Sequence, residues 1–146
     1  MSDQHELATP CSIEAAVDVI GDRWSLLILR NAFRGVRRFS EIQDDLGIAK
    51  NLLASRLRRL VEVGVLSKVP YQEHPVRYEY RLTPKGADLS ATLIALMRWG
   101  DHWYAHDDPP TILVHDECLT PLELATRCPQ CDVVVTPGHI RSRNHA

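Results

Sequence analysis

Apolar residues recur with helical spacing over most of this chain and switch to strict alternation in one short stretch. From Pro10 onward Ile13, Ala16, Val17 and Ile20 fall at i, i+3, i+4 and i+7, which predicts a first helix ended by Gly21. Asp22 can cap a second helix, R-W-S-L-L-I-L-R-N-A-F, that closes at Gly35. With Trp24, Leu27, Ile28 and Leu29 it is expected at the centre of the core. Ser40 opens S-E-I-Q, a capping box in which Ser40 and Gln43 would each satisfy the other's free backbone N–H, and Gly47 is the stop. The next helix is predicted over about Ala49 to Val63, with Leu53, Leu57 and Leu60 on one side and Asn51, Ser55, Arg58 and Glu62 on the other. V-L-S-K-V-P-Y and V-R-Y-E-Y-R-L then alternate at period two around Q-E-H-P, the pattern of a β-hairpin with a polar tip. Thr83-Pro84, an N-cap followed by proline at the first helical position, starts a long helix. Its stripe is Leu89, Leu93, Leu96 and Trp103, widened by Ile94 and Met97, and it is expected to stop before Asp107.

Helix, tight glycine turn, helix and two-stranded hairpin is the order of a winged helix-turn-helix, a mainly α fold with a small β-hairpin (α+β). In that geometry one helix braces and the other projects into the major groove of double-stranded DNA. Leu53, Leu57 and Leu60 supply the apolar inner face that holds the crossing angle. Lys50, Asn51 and Ser55 lie near the N-terminal end, where base edges are read, and Arg56, Arg58 and Arg59 lie further along, towards phosphates. Arg56 is either a phosphate contact or a helix-bracing ion-pair partner. Lys68 and Arg77 belong to the wing and can track the backbone, although Arg77 can instead pair near Glu79. Glu62 would repel phosphate, which places the contacting part in the first two turns. The organisation is a loose tail over 1–9, a winged DNA-binding and dimerisation domain over 10–106, and a small cysteine-containing extension over 107–146.

Composition adds little, but charge adds something. With 45% hydrophobic and 25% charged residues the chain is an ordinary globular sequence. No apolar run approaches the ~20 residues of a membrane span. The start, M-S-D-Q-H-E-L-A-T-P, has neither a basic region nor an apolar core, so a cytoplasmic, reducing address is expected. The four cysteines are then better read as thiols or metal ligands than as a disulfide framework. The net charge of −2 conceals a segregation: Arg23 to Lys85 holds thirteen Lys/Arg against six Asp/Glu, locally +7, and the rest of the chain is −9. A basic middle of this kind suits local nucleic-acid binding, with a solvated face as the plainer reading. No phosphate loop, dinucleotide fingerprint or acid–base pair points to an enzyme. The competing reading is a winged-helix protein-interaction module whose basic middle meets an acidic partner.

The motifs C-S-I-E-A-A-V-D-V-I-G-D-R-W-S-L-L-I-L-R, R-R-F-S-E-I, S-R-L-R-R-L-V-E-V-G-V-L and P-V-R-Y-E-Y-R-L-T-P-K-G resemble the HxlR-type family of MarR-related winged-helix transcription regulators. The likeness covers Cys11 to Tyr104. It implies a transcription regulator, more often a repressor, that forms a homodimer through its first and last helices and binds a near-palindromic operator. Leu89, Leu93, Leu96, Trp99 and Trp103 carry more apolar surface than one small domain covers, which agrees with dimerisation. Ser12 stands where the family has proline, and Pro10 precedes the cysteine instead, so the helix start can shift.

Cys11 lies at the first helix's N-terminus, where the dipole favours thiolate. The resemblance implies an electrophile or oxidant sensor there, and a packed thiol is the alternative. In the extension, His115-x2-Cys118 and Cys128-x2-Cys131 have the spacing of a small zinc ribbon, with His139 as a spare ligand. No cofactor is required on this reading; structural zinc, a Cys128–Cys131 redox pair and plain thiols all remain open. Trp24, Trp99, Trp103 and Tyr104 are candidates to line a small-molecule effector pocket, or simply core.

Overall fold

The protein's structure, a computed structural model, describes residues 11–105 and 108–143. The tail expected over 1–9 and the boundary expected at 106/107 lie outside the described residues. Helix α1 spans Ser12–Ile20, α2 Arg23–Phe33, α3 Phe39–Leu46 and α4 Lys50–Glu62; strands β1, Leu66–Glu73, and β2, Val76–Leu82, follow. A one-turn helix α5, Pro84–Ala87, precedes α6, Ser90–Gly100, which runs into a π-helical turn at Asp101–Ala105. The chain divides into two units, Met1–Leu93 and Ile94–Ala146. The winged helix-turn-helix is the first.

Its core is built where the helical period puts leucine. Leu53, Leu57 and Leu60 of α4 are wholly buried against Ile28 and Leu29 of α2, Ile42 of α3, and Val65 and Leu66 at the root of the hairpin. Each such side chain contributes roughly 1.5–3 kcal/mol of transfer free energy. Helix α2 starts as the sequence predicts: the Asp22 carboxylate accepts from the Trp24 and Ser25 amides at 3.1 and 3.0 Å. Between α3 and α4 the chain reverses through Gly47 at φ 62°, a left-handed conformation that costs glycine nothing. Strands β1 and β2 pair antiparallel, with a register shift between Pro70 and Gln72.

Two local expectations are corrected. The Ser40–Gln43 capping box does not form, because α3 begins two residues earlier. Arg38 is its N-cap, and the Arg38 amide donates to Glu41 Oε2 at 3.4 Å. Gln43 is free to brace the turn instead, donating from Nε2 to the Ile48 carbonyl at 3.4 Å. The long helix after Thr83 is broken at Asp88–Leu89. Its first turn is bound to the end of α4 and the root of β1: Thr83 N–H donates to Val65 O at 3.2 Å and Lys85 Nζ to Val63 O at 2.7 Å. Gly86 lies so close that a Cβ there would sit 2.2 Å from Val65 O.

The second unit begins inside α6 because that helix's later turns pack with the extension. Arg98 Nη1 donates to Leu122 O at 2.6 Å. Ile94, Met97 and Asp101 line a cavity of about 180 Å³ with Pro109, Ile112 and Pro121. A small hairpin, β3 Arg127–Cys128 with β4 Val133–Val134, completes it. Among the described residues no helix is long and apolar enough to cross a membrane.

Candidate nucleic-acid interface

Helix α4 turns one face inward and leaves the other to solvent. Lys50, Asn51, Ser55, Arg58 and Arg59 are all exposed along it. Its N-cap, Ala49, brings no side-chain acceptor, so the first amides of the helix are not capped by their own chain. The helix is held at its angle by charge as well as by leucine. Arg56 Nε donates to Asp22 Oδ1 at 3.1 Å, tying α4 to the start of α2. Of the two roles the sequence leaves open for Arg56, this geometry supports the brace rather than the phosphate contact. Arg30 of α2 pairs with Asp45 of α3 at 3.2 Å in the same way.

Burial pushes the Asp22 carboxyl up, but hydrogen bonds from the Ser25 hydroxyl and amide and the nearby Arg56 guanidinium outweigh it, and the net effect holds the group below its ordinary value. The unfolded chain therefore takes up this proton first as pH falls. The stabilisation is complete above the unfolded value of about 3.9 and is lost as pH drops through the lower folded value. Asp22→Asn should flatten the acid limb of the stability–pH curve. Urea midpoints of variant and parent that fall in parallel between about pH 5 and 2 would rule this out.

The wing brings a second set of cations to the same side. Arg58 of α4 and Lys68 of β1 line one cleft of about 260 Å³, together with Ala54, Val61, Glu62 and Tyr80. Lys68 Nζ lies 4.5 Å from the centroid of the Tyr78 ring, which holds the ammonium on the wing's surface. Burial raises the Tyr80 phenol above its usual range, so it stays protonated and able to donate. Arg77 is exposed near the tip, and Glu79, its alternative partner, is taken by Arg81. Arg58 and Lys68, read separately from the sequence, are thus brought together. Glu62 reaches the same cleft, which sets a negative limit to it.

Sequence reasoning passed over Arg37, Arg38 and Tyr71. Tyr80 N–H donates to the Arg37 carbonyl at 2.8 Å, and the Arg38 guanidinium carbon lies 4.1 Å from the centroid of the Tyr71 ring. The two arginines stand in the quoted R-R-F-S-E-I, but nothing in that string announces a partner so far along the chain.

The remaining candidates are placed as follows. Cys11 is the exposed N-cap of α1, and N–H groups of Glu14 and Ile13 facing its sulfur hold the thiol below its usual value. Trp24 is half-buried beneath Arg23, whose guanidinium carbon is 5.2 Å from the indole centroid. Trp99, Trp103 and Tyr104 belong to the second unit and are exposed by 58, 59 and 73%. The π-helical turn sets Trp99 and Tyr104 ring to ring at 5.5 Å, and Trp103 stands edge-on to His102 at 4.8 Å.

The ribbon donors remain as two pairs. His115 Nδ1 is 3.2 Å from Cys118 Sγ, inside a turn closed by His115 N–H to Thr120 O at 2.9 Å. Hydrogen bonds from the Thr120 hydroxyl and amide and from His115 bring the Cys118 thiol down to about 7. Cys128 faces Cys131 across the β3–β4 turn, where the Cys131 and Gln130 amides and the Cys131 thiol lower it. Among the described residues no group of three or more His, Cys, Asp or Glu side chains is placed to hold one metal ion. Each pair is satisfied within its own turn, and His139 bonds locally to Thr136 Oγ1 at 2.9 Å.

Comparison with known proteins agrees with this arrangement. The profile of the HxlR-like helix-turn-helix family matches residues 19–108. The HTH-type transcriptional regulator Rv3095 of Mycobacterium tuberculosis is 44% identical over 130 residues, which is 88% of this chain and 82% of that one. Among solved structures, the transcription factor PA1607 superposes with a TM-score of 0.85 at 40% identity, covering 94% of this chain and 96% of its own. The redox regulator HypR in its oxidized form gives a TM-score of 0.58 at 28% identity over 63% of this chain and 96% of its own. With a projecting basic helix, a hairpin wing and these relatives, the chain belongs to the HxlR-like helix-turn-helix family of transcriptional regulators, and it is not an enzyme.

Proposed function

We infer that the protein acts as a homodimer that reads a near-palindromic operator in double-stranded DNA and represses the genes beside it. One observation carries the reading: Arg58 from the projecting helix and Lys68 from the wing converge on one cleft, while the cations that brace the scaffold, Arg30 and Arg56, are consumed by carboxylates. A sorted charge pattern of this kind leaves the outward cations for phosphate. Lys50, Asn51 and Ser55 face bases at the start of α4, and Arg59 and Arg77 extend the backbone contact. Dimer formation is supported by apolar residues left at the surface of a single copy, Ile13 and Val17 of α1 at 74 and 55% exposure and Leu96 of α6 at 48%. Two copies would set their recognition helices about 34 Å apart on one face of the duplex.

The exposed, thiolate-favouring Cys11 and the oxidized HypR relative support redox or electrophile control of DNA binding. The exposed aromatics near the end of α6 support a small-molecule effector as the alternative signal. No part of this function rests on zinc.

The test is to crosslink the protein to DNA in its native cells and sequence the bound fragments, with an Arg58→Ala, Arg59→Ala variant and a Cys11→Ser variant alongside. A few sharp sites sharing a near-palindrome, lost in the arginine variant, are expected. Exposure to an oxidant should clear those sites in the parent but not in Cys11→Ser. Diffuse recovery without a shared site, equal in parent and arginine variant, would favour a protein-interaction module instead.

A further inference from the structure

The wing is a ribbon of two strands, and its outer half extends past Leu66, Tyr80 and Leu82, its last residues packed on the core. Two strands alone are marginal in water, so the direction of the tip must be set by contacts with the body. Two such contacts converge on the segment before α3. Tyr80 N–H donates to the Arg37 carbonyl at 2.8 Å, which fixes the inner part of β2. Further out, the Arg38 guanidinium stands 4.1 Å from the centroid of the Tyr71 ring, close cation–π contact.

Both partners are held ready for this. Tyr71 is the residue left out of the ladder where the register shifts between Pro70 and Gln72, and such a bulge re-aims a side chain. Arg38 is anchored as the N-cap of α3 by its own amide, which donates to Glu41 Oε2 at 3.4 Å. Among the described residues no carboxylate pairs with the Arg38 guanidinium. We propose that Arg38 and Tyr71 form a latch that sets the angle of the wing on the helix-turn-helix and so lays Lys68 and Arg77 along the phosphate backbone. Arg38 is then a positioning residue that acts through the wing, not a phosphate contact. The consequence for DNA rests on the proposed function; the consequence for the wing itself does not.

The experiment therefore has one arm without DNA and one with it, both on the full chain. Backbone amide exchange over residues 72–77 is measured in the parent and in Tyr71→Leu, Tyr71→Phe and Arg38→Gln. Tyr71→Leu and Arg38→Gln should speed exchange about two- to fivefold, and Tyr71→Phe, which keeps the ring face, should behave as the parent. Unchanged exchange in both disruptive variants overturns the latch. The second arm measures affinity for a short random-sequence duplex, since phosphate contacts carry no sequence requirement. Each disruptive variant should bind about two- to fivefold more weakly, and the double variant no more weakly than either. Losses that add, with a further fall of about 0.9 in salt slope from Arg38→Gln, would mean that Arg38 touches phosphate itself, and would overturn the positioning role. If the parent does not bind duplex at low salt, the proposed function fails, and the latch is judged on exchange alone.

Discussion

Replacing Arg58 and Arg59 together by alanine should weaken binding to duplexes of every sequence and remove about 1.8 from the slope of log affinity against log salt. The reason is counterion release: each phosphate neutralised by a cation frees a condensed ion, and two such contacts are lost. Between 50 and 200 mM salt that slope corresponds to about a twelvefold change in affinity that the variant no longer shows. Both side chains are exposed, and among the described residues neither forms an ion pair, so the fold should be little affected. Asn51→Ala should do the reverse. It should leave the salt slope intact and cost about 1–3 kcal/mol of discrimination between operator and mutated operator. Fluorescence anisotropy across a salt series reads both. A double-arginine variant with the parent's slope would remove α4 from the DNA backbone and with it the central claim of the proposed function.

Leu57→Ala should lower unfolding free energy by about 2–5 kcal/mol, among the large single-residue losses expected in the winged unit. Leu57 has no exposed surface and sits in mid-helix between Leu53 and Leu60, which are equally enclosed. Truncation loses the transfer free energy of three carbon atoms and leaves a space that α2 and α3 can close only in part. Against a total stability of roughly 5–15 kcal/mol this is a large share. The check is a urea titration in which the midpoint falls while the slope m stays constant. Ser55→Ala, on the outer face of the same helix, should move that midpoint little. Equal shifts at the two positions would contradict the orientation of α4 described above.

The features most legible in the sequence were those whose cause lies within a few residues. The leucine period of α4, the left-handed stop at Gly47, the Asp22 cap and the alternation of the hairpin are all local, and the structure has each of them. What was hidden depends on contacts distant along the chain. Arg56 has an even choice of roles until Asp22 is seen beside it. The apolar stripe begins only at Leu89, so it carries no sign of the break at Asp88–Leu89; that break follows α5, which is docked on Val63 and Val65. At α3 the local signal was the Ser40–Gln43 box alone, but the helix starts after Arg38, whose amide is served by Glu41. The four ribbon donors share a familiar spacing, yet spacing does not say whether two turns will close on each other. Tyr71 did leave one signal: Pro70 within a strand marks a bulge, and a bulge marks a re-aimed neighbour.

The close approach of Gly86 to the Val65 carbonyl has a genetic consequence. Glycine codons change by single-base substitution to alanine, serine, cysteine, valine, aspartate, glutamate, arginine or tryptophan, and every one of these brings a Cβ. Here that atom would meet a backbone oxygen at 2.2 Å, and a main-chain atom has no rotamer by which to step aside. In a saturation screen of this gene, position 86 should therefore be as intolerant as the positions proposed to read DNA. A map of tolerance alone would draw the proposed DNA-binding surface around a residue that is buried at the foot of the wing.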